Sequence, residues 1–133
     1  LPEILFNLFP GMGAYSFLRQ RLGRKDTERF ILEGKLFSAT ELYDMGVVDL
    51  LAEDGQGEAA IIEYTKENRS RFHAERAVYQ ARKIADPVSL EELLEITDTW
   101  AETALYLGEA DVRKMERLAS AQDRRIIRSL QAV

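Results

Sequence analysis

Cysteine is absent from the 133 residues, which removes disulfides, thiolate metal sites and a Cys nucleophile and fits a reducing, cytoplasmic setting. Histidine is nearly absent too. His73 stands alone between Arg71 and Glu75, with no Ser or Asp constellation around it, so a surface or helix-packing role is the expectation. No metal-ligand spacing occurs. A cationic surplus is also missing: 18 Lys and Arg face 23 Asp and Glu, for a net charge of −5. Nucleic-acid scaffolds need the opposite balance, so that class is excluded, while a small acidic ligand is not. No apolar run approaches the roughly 18–20 residues of a membrane span, so no membrane partner is expected. The opening LPEILFNLFPGMG is apolar but carries Glu3 and no basic flank, which excludes a secretory signal.

Proline and glycine are sparse, so each one present marks a particular place. Pro2, Pro10, Gly11 and Gly13 punctuate the first thirteen residues as loop and turn. A helix is expected from about Ala14 to Leu22, closed by Gly23, and a second from about Asp26, as N-cap, to Glu33, ended by Gly34. Ser38 and Glu41 have the spacing of a capping box opening a short third helix that stops at Gly46. The β-rich run Val47, Val48, Leu50 and Leu51 predicts one short strand, followed by a turn over Glu53 to Gly57.

Everything from about Glu58 onward reads as helix. One helix runs to about Arg69. Ala74, Ala77, Val78, Ala81 and Ala85 then keep a helical rhythm on a slim apolar stripe. Pro87 breaks the chain, Ser89 and Glu92 form a second capping box, and Leu90, Leu93, Leu94, Thr97, Trp100, Ala101, Ala104 and Leu105 share an apolar face. Gly108 interrupts. Val112, Met115, Leu118, Ala119, Gln122 and Ile126 continue a weaker face, and Arg124, Arg125 and Arg128 form a basic run at a solvated helix end. The expected architecture is mainly α, six or seven helices with one short strand. Residues 1–57 and 58–133 differ in character, the first loop-rich and the second helical. A lone strand needs a partner for its backbone groups, and the chain opens at Leu1 rather than Met; both suggest a piece of a longer polypeptide.

Few residues invite chemistry. Glu3 lies in an apolar, Pro-flanked loop, and a carboxylic acid held near neutrality suits general acid–base work at a carbon next to a thioester. A solvated Glu is the plain alternative. Gly11-Met12-Gly13 resembles a fragment of a phosphate cradle but lacks the remaining glycines and the Lys. Met12, Trp100 and Leu118 are large apolar residues on expected inward faces, as core or as pocket lining.

Taken in order, these pieces are similar to the crotonase (enoyl-CoA hydratase/isomerase) family. Pro2-Glu3 followed by Pro10-Gly11-x-Gly13 and a helix resembles its Pro-Glu and Pro-Gly-x-Gly-Gly pattern. Arg21-Leu22-Gly23, Glu33-Gly34, Ser38-Ala39 and Tyr43-Asp44-Met45-Gly46-Val47-Val48 resemble the stretch that follows. Two departures, Asn7 where the family has Gly and Ala14 for the second Gly of the pair, together with LPEILFNLFPGMGAYSFLRQR, resemble the bacterial diffusible-signal-factor synthases.

The resemblance implies the C-terminal portion of a crotonase α/β spiral fold. Residues 1–57 would end its core, and 58–133 would form the helical region that covers the active site and makes oligomer contacts of trimer type. It implies Glu3 as one of two catalytic glutamates and Met12, Trp100 and Leu118 as acyl-pocket lining. The substrate would be a 3-hydroxyacyl thioester of acyl carrier protein or CoA, dehydrated and hydrolysed to a 2-enoic fatty-acid signal without a separate cofactor. It further implies regulation by the receiver domain of a sensor kinase. The first glutamate and the oxyanion donors precede this stretch in the family's order, so the 133 residues alone are expected to be inactive. An ordinary enoyl-CoA hydratase or isomerase, or a helical assembly module without catalysis, are the alternatives.

Overall fold

The computed structural model describes the backbone of residues 1–131 and the side chains of residues 1–124. After a 3-10 turn at Glu3–Phe6, six α-helices follow: α1 (Ala14–Glu33), α2 (Ala39–Asp44), α3 (Gly57–Asn68), α4 (Phe72–Ala85), α5 (Leu90–Ala104) and α6 (Glu109–Gln131). A second 3-10 turn, Arg69–Arg71, joins α3 to α4. The mainly helical expectation holds. Ile126, Arg125 and Arg128 have side chains outside the described residues.

Glycine sets the first interruptions. Gly23 has φ 72° and ψ 169°, which breaks α1 into the two expected segments. Asp26 nevertheless lies inside the second segment instead of capping it, where its carboxylate faces Arg29 at 3.4 Å. At Gly34 the chain turns with φ 58°, and a Cβ there would lie 2.5 Å from Ile4 Cγ2. Only a residue without a side chain lets the Glu3–Phe6 turn approach the end of α1 this closely.

The expected strand over Val47–Leu51 is absent, and no strand occurs among the described residues. Val47 and Val48 instead donate their N–H groups to the Leu42 carbonyl, at 2.9 and 3.2 Å, closing the end of α2. Asp49 receives two hydrogen bonds from the Arg21 guanidinium, at 2.8 and 2.7 Å, which tie this segment to α1. The Val47 and Val48 donors are thus taken by the preceding helix and the Asp49 side chain by α1, in place of a partner strand. The Ser38–Glu41 capping box forms in full: Glu41 N–H donates to Ser38 Oγ at 3.2 Å, and Ser38 N–H to Glu41 Oε2 at 2.7 Å.

Burial is thin. Phe6, Leu8, Phe30 and Ile31 form the apolar core, with Ser16 and Thr27 sealed beside it. Phe37 stacks on Phe30 with ring centroids 4.5 Å apart. The accessible surface is 10576 Å² for 15.2 kDa, whereas a compact monomer of that mass exposes roughly 7,100 Å². Much of the excess comes from α3 and α4, which pack against the turn between them and little else. The apolar stripe expected on α4 exists, but every member is exposed. Asn68 is the one buried residue of this arm; its Nδ2 donates to the Tyr64 carbonyl at 2.8 Å and its Oδ1 accepts from Arg71.

Two carboxylates give the α2 region an acid sensitivity. Hydrogen bonds from Ser38 hold Glu41 below its ordinary value of 4.5, and those from Arg21 hold Asp49 below 3.8. A folded-state value depressed below the unfolded one adds stability above the unfolded value and loses it as pH falls through the folded one. Residues 38–51 should therefore loosen below about pH 4, seen as faster amide hydrogen exchange there before global unfolding. Glu41→Gln together with Asp49→Asn should flatten that dependence, and an unchanged acid profile in the double variant would contradict the assignment.

Candidate functional site

The site is built from the backbone outward. The loop Phe9–Gly13 runs beneath α5, whose Leu93, Thr97 and Trp100, one turn apart, point at it. A Cβ at Gly11 would overlap Cβ, Cγ and Cδ1 of Trp100, and one at Gly13 would sit 3.5 Å from Leu93 Cδ2. Thr97 Oγ1 lies 3.5 Å from the Gly11 carbonyl but donates chiefly to Leu93 O at 2.8 Å. The loop is thus a bare backbone strip under a side-chain ridge. Sequence reasoning took the glycines for a weak phosphate cradle; here they serve close packing.

Polar contacts fasten α1 to α5 and to the segment that leads into it. Ser16, fully buried in the first turn of α1, donates to Glu92 Oε1 at 2.5 Å. Arg19 approaches Asp86 at 3.2 Å and Glu92 at 3.9 Å, and Gln20 donates to the Asp86 carbonyl at 2.6 Å. These contacts explain a departure from expectation at the second capping box. Ser89 does accept from Glu92 N–H at 3.0 Å, but the Glu92 carboxylate turns to Ser16 and completes only half a box. A local motif yields to a tertiary one.

Glu3 opens the 3-10 turn that ends at Asn7, a residue in the left-handed region with φ 60° and ψ 34°. Asn tolerates that conformation better than most non-glycine residues, which accounts for its standing where the resemblance has Gly. Glu3 is partly buried. Its Oε2 is closed off from solvent and has no hydrogen-bond partner among the described residues; Thr27 Oγ1 is the other such atom. Leaving a buried acceptor unpaired costs about 1–3 kcal/mol, so the position invites a functional explanation.

Two apolar cavities flank this region. Leu1, Pro2, Leu5 and Phe6 of the Glu3 turn, Leu36, and Met115, Leu118 and Ala119 of α6 line a groove of about 810 Å³. Phe9, Tyr15, Ile31, Leu32 and Ile96 line a smaller one of about 340 Å³ between α1 and α5. At its edge Tyr15 donates to Glu28 at 3.2 Å, and burial, then that bond, raises the phenol above its usual 10.0.

The residues expected to line a pocket go to different places. Leu118 lines the larger groove. Trp100, half-buried, covers Gly11, while Met12 is 84% exposed on the outer side of the loop. Neither cavity is lined by more than one of the three. His73 packs edge-to-face on Phe72 at 5.4 Å, on the exposed α4. Of the groove residues, Met115, Leu118 and Ala119 were legible as a helix face; Leu1, Leu5 and Leu36 lie in irregular segments without periodicity.

Among the described residues no group of three His, Asp or Glu side chains could hold a metal ion, and no helix is long and apolar enough to cross a membrane. Compared with known proteins, the chain matches no protein-family model and no curated protein.

Gly11→Ala is expected to force Trp100 off the loop and lower stability by about 1–3 kcal/mol, measured by urea unfolding. A cost near zero would show that α5 does not rest on this backbone. Ser16→Ala and Glu92→Gln should be coupled in a double-mutant cycle by roughly 1 kcal/mol or more; additivity would remove the lock.

Proposed function

We propose that the chain is the C-terminal part of a crotonase-type enzyme in which Glu3 performs general acid–base chemistry on a 3-hydroxyacyl thioester. One observation supports this beyond the resemblance: Glu3 Oε2 is shielded and has no hydrogen-bond partner among the described residues, on the same turn that lines the large apolar groove. A carboxyl without a structural partner is free to exchange a proton with a substrate, and an apolar groove beside it suits an acyl chain.

In this proposal one carboxyl takes the C2 proton and the other hands a proton to the C3 hydroxyl, which leaves as water. Backbone N–H donors hold the thioester carbonyl oxygen as charge develops on it. The product is a 2-enoyl thioester, and attack by water on its carbonyl releases the free 2-enoic acid and the carrier thiol. By the resemblance, the second carboxyl and the N–H donors come from sequence other than these 133 residues. Acyl carrier protein is the proposed carrier, with CoA thioesters the alternative of an ordinary hydratase or isomerase. A receiver domain as regulator and a cytoplasmic site of action belong to the same proposal. A second reading, a helical assembly unit without catalysis, is favoured by the accessible surface of 10576 Å².

In the longer enzyme that the proposal requires, Glu3→Gln should lower dehydration of a 3-hydroxyacyl thioester by at least about 10²-fold. The melting temperature should stay unchanged or rise, since the amide replaces an unpaired carboxylate. Turnover that survives the substitution would overturn the assignment. Equal rates on matched carrier-protein and CoA substrates without release of free acid would favour the ordinary hydratase.

A further inference from the structure

Positive charge is in deficit over the whole chain but gathers on one exposed helix. Residues 69–85, which contain α4, carry five Lys and Arg against the single Glu75, in a chain of net charge −5. At about 3.6 residues per turn, Phe72, Arg76, Tyr79 and Lys83 fall on one side of α4, and Ala74, Ala77, Val78 and Ala81 on the other. The first four line a groove of about 490 Å³ together with Glu75 and Gln80. Its two rings are open to water, Phe72 being 57% and Tyr79 50% exposed. Glu75 faces Arg71 at 3.8 Å, and the Arg82 guanidinium lies 5.1 Å from the Tyr79 ring centroid. Arg76 and Lys83 pair with no carboxylate among the described residues.

The pattern discriminates between occupants. A helix that lies on a membrane buries its large apolar side chains on one face and keeps its cations on the other. α4 instead sets its aromatic rings among its cations and has mainly small side chains opposite. Nucleic acid is opposed by the net charge. The face fits a protein helix that presents carboxylates and apolar side chains together. We propose that this groove docks an acidic helix of the acyl carrier protein that brings the thioester. Arg76 and Lys83 face the carrier's carboxylates, and Phe72 and Tyr79 cover its apolar side chains. Acyl carrier proteins are small, acidic and helical, so they supply that chemistry, whereas CoA has no helix to fill the groove. The inference rests on the reading that the acyl group arrives on a carrier protein. One groove on one helix makes a contact well below about 1,200 Å², the transient class, which suits a carrier that leaves after each turnover.

Fluorescence anisotropy of labelled holo acyl carrier protein, titrated with the 133-residue chain, provides the test. Binding should saturate at about 0.1 M salt and weaken by roughly tenfold or more at about 0.5 M, because exposed ion pairs are screened. Arg76→Glu with Lys83→Glu should weaken it by about tenfold or more. Phe72→Ala with Tyr79→Ala should also weaken it, but leave its salt dependence in place. Lys114→Glu with Arg117→Glu makes the same charge change on α6 and should shift binding by less than about threefold, since charges beyond the screening length count little. All six positions are exposed, so far-UV circular dichroism should be unchanged. An unchanged chain that does not bind the carrier would overturn the proposal, as would α4 and α6 charge variants that bind alike. Capture of the chain by phosphatidylglycerol vesicles in place of the carrier would overturn it in favour of a lipid surface. Glu3 lies outside the groove and binding needs no turnover, so each of these results leaves acid–base chemistry on a CoA thioester standing.

Discussion

The structure depends on how closely α5 can approach the backbone of the Pro10–Gly13 loop. Leu93, Thr97 and Trp100 form a ridge that rests on two glycines, and a side chain at Gly11 would occupy the space of the indole. That contact fixes the loop against α5. Ser16 and Glu92 then fasten α1 to α5 from the buried side, and Gly34 lets the Glu3 turn close onto the end of α1. Of these small residues Gly34 meets the Glu3 turn directly, at Ile4 and Leu5. The hydrophobic effect supplies little among the described residues, where the sealed large apolar side chains are Phe6, Leu8, Phe30 and Ile31. Positioning is a matter of shape and a few polar contacts.

Much of the fold was legible because helix ends are written locally. Gly23, Gly34, Gly46 and Pro87 act through backbone dihedrals that do not depend on distant residues, and the breaks fall where these residues stand. Ser38 and Glu41 likewise satisfy each other within one turn. The strand over Val47–Leu51 failed for the complementary reason. β-branched residues report a preference for extended backbone, but whether such a run joins a ladder depends on where its N–H groups go. Leu42 takes two of them, and Arg21, far away in sequence, takes Asp49.

The candidate site was less legible still. Glu3 was singled out from its apolar, Pro-flanked surroundings, and the structure shows one of its carboxyl oxygens closed off from solvent. Met12, Trp100 and Leu118 were chosen for size on inward faces, yet size cannot distinguish a residue that lines a cavity from one that covers a glycine or faces water. Glu92 shows the same limit: its spacing from Ser89 specifies a cap, and only the folded chain brings Ser16 within 2.5 Å to claim the carboxylate. The smaller cavity between α1 and α5 joins residues from three segments with no shared period, so no local pattern announced it.

An acid–base role for Glu3 requires that its shielded oxygen reach a reacting atom. The most direct measurement is a crystal structure of the longer enzyme that the proposal requires, with a bound, slowly turned-over 3-hydroxyacyl thioester analogue. The account predicts a Glu3 carboxyl oxygen within about 3.2 Å of the C3 hydroxyl or in line with the C2 proton, with the acyl chain running into apolar surface beside it. A Glu3 carboxylate turned to bulk water, with the thioester bound elsewhere, would contradict it.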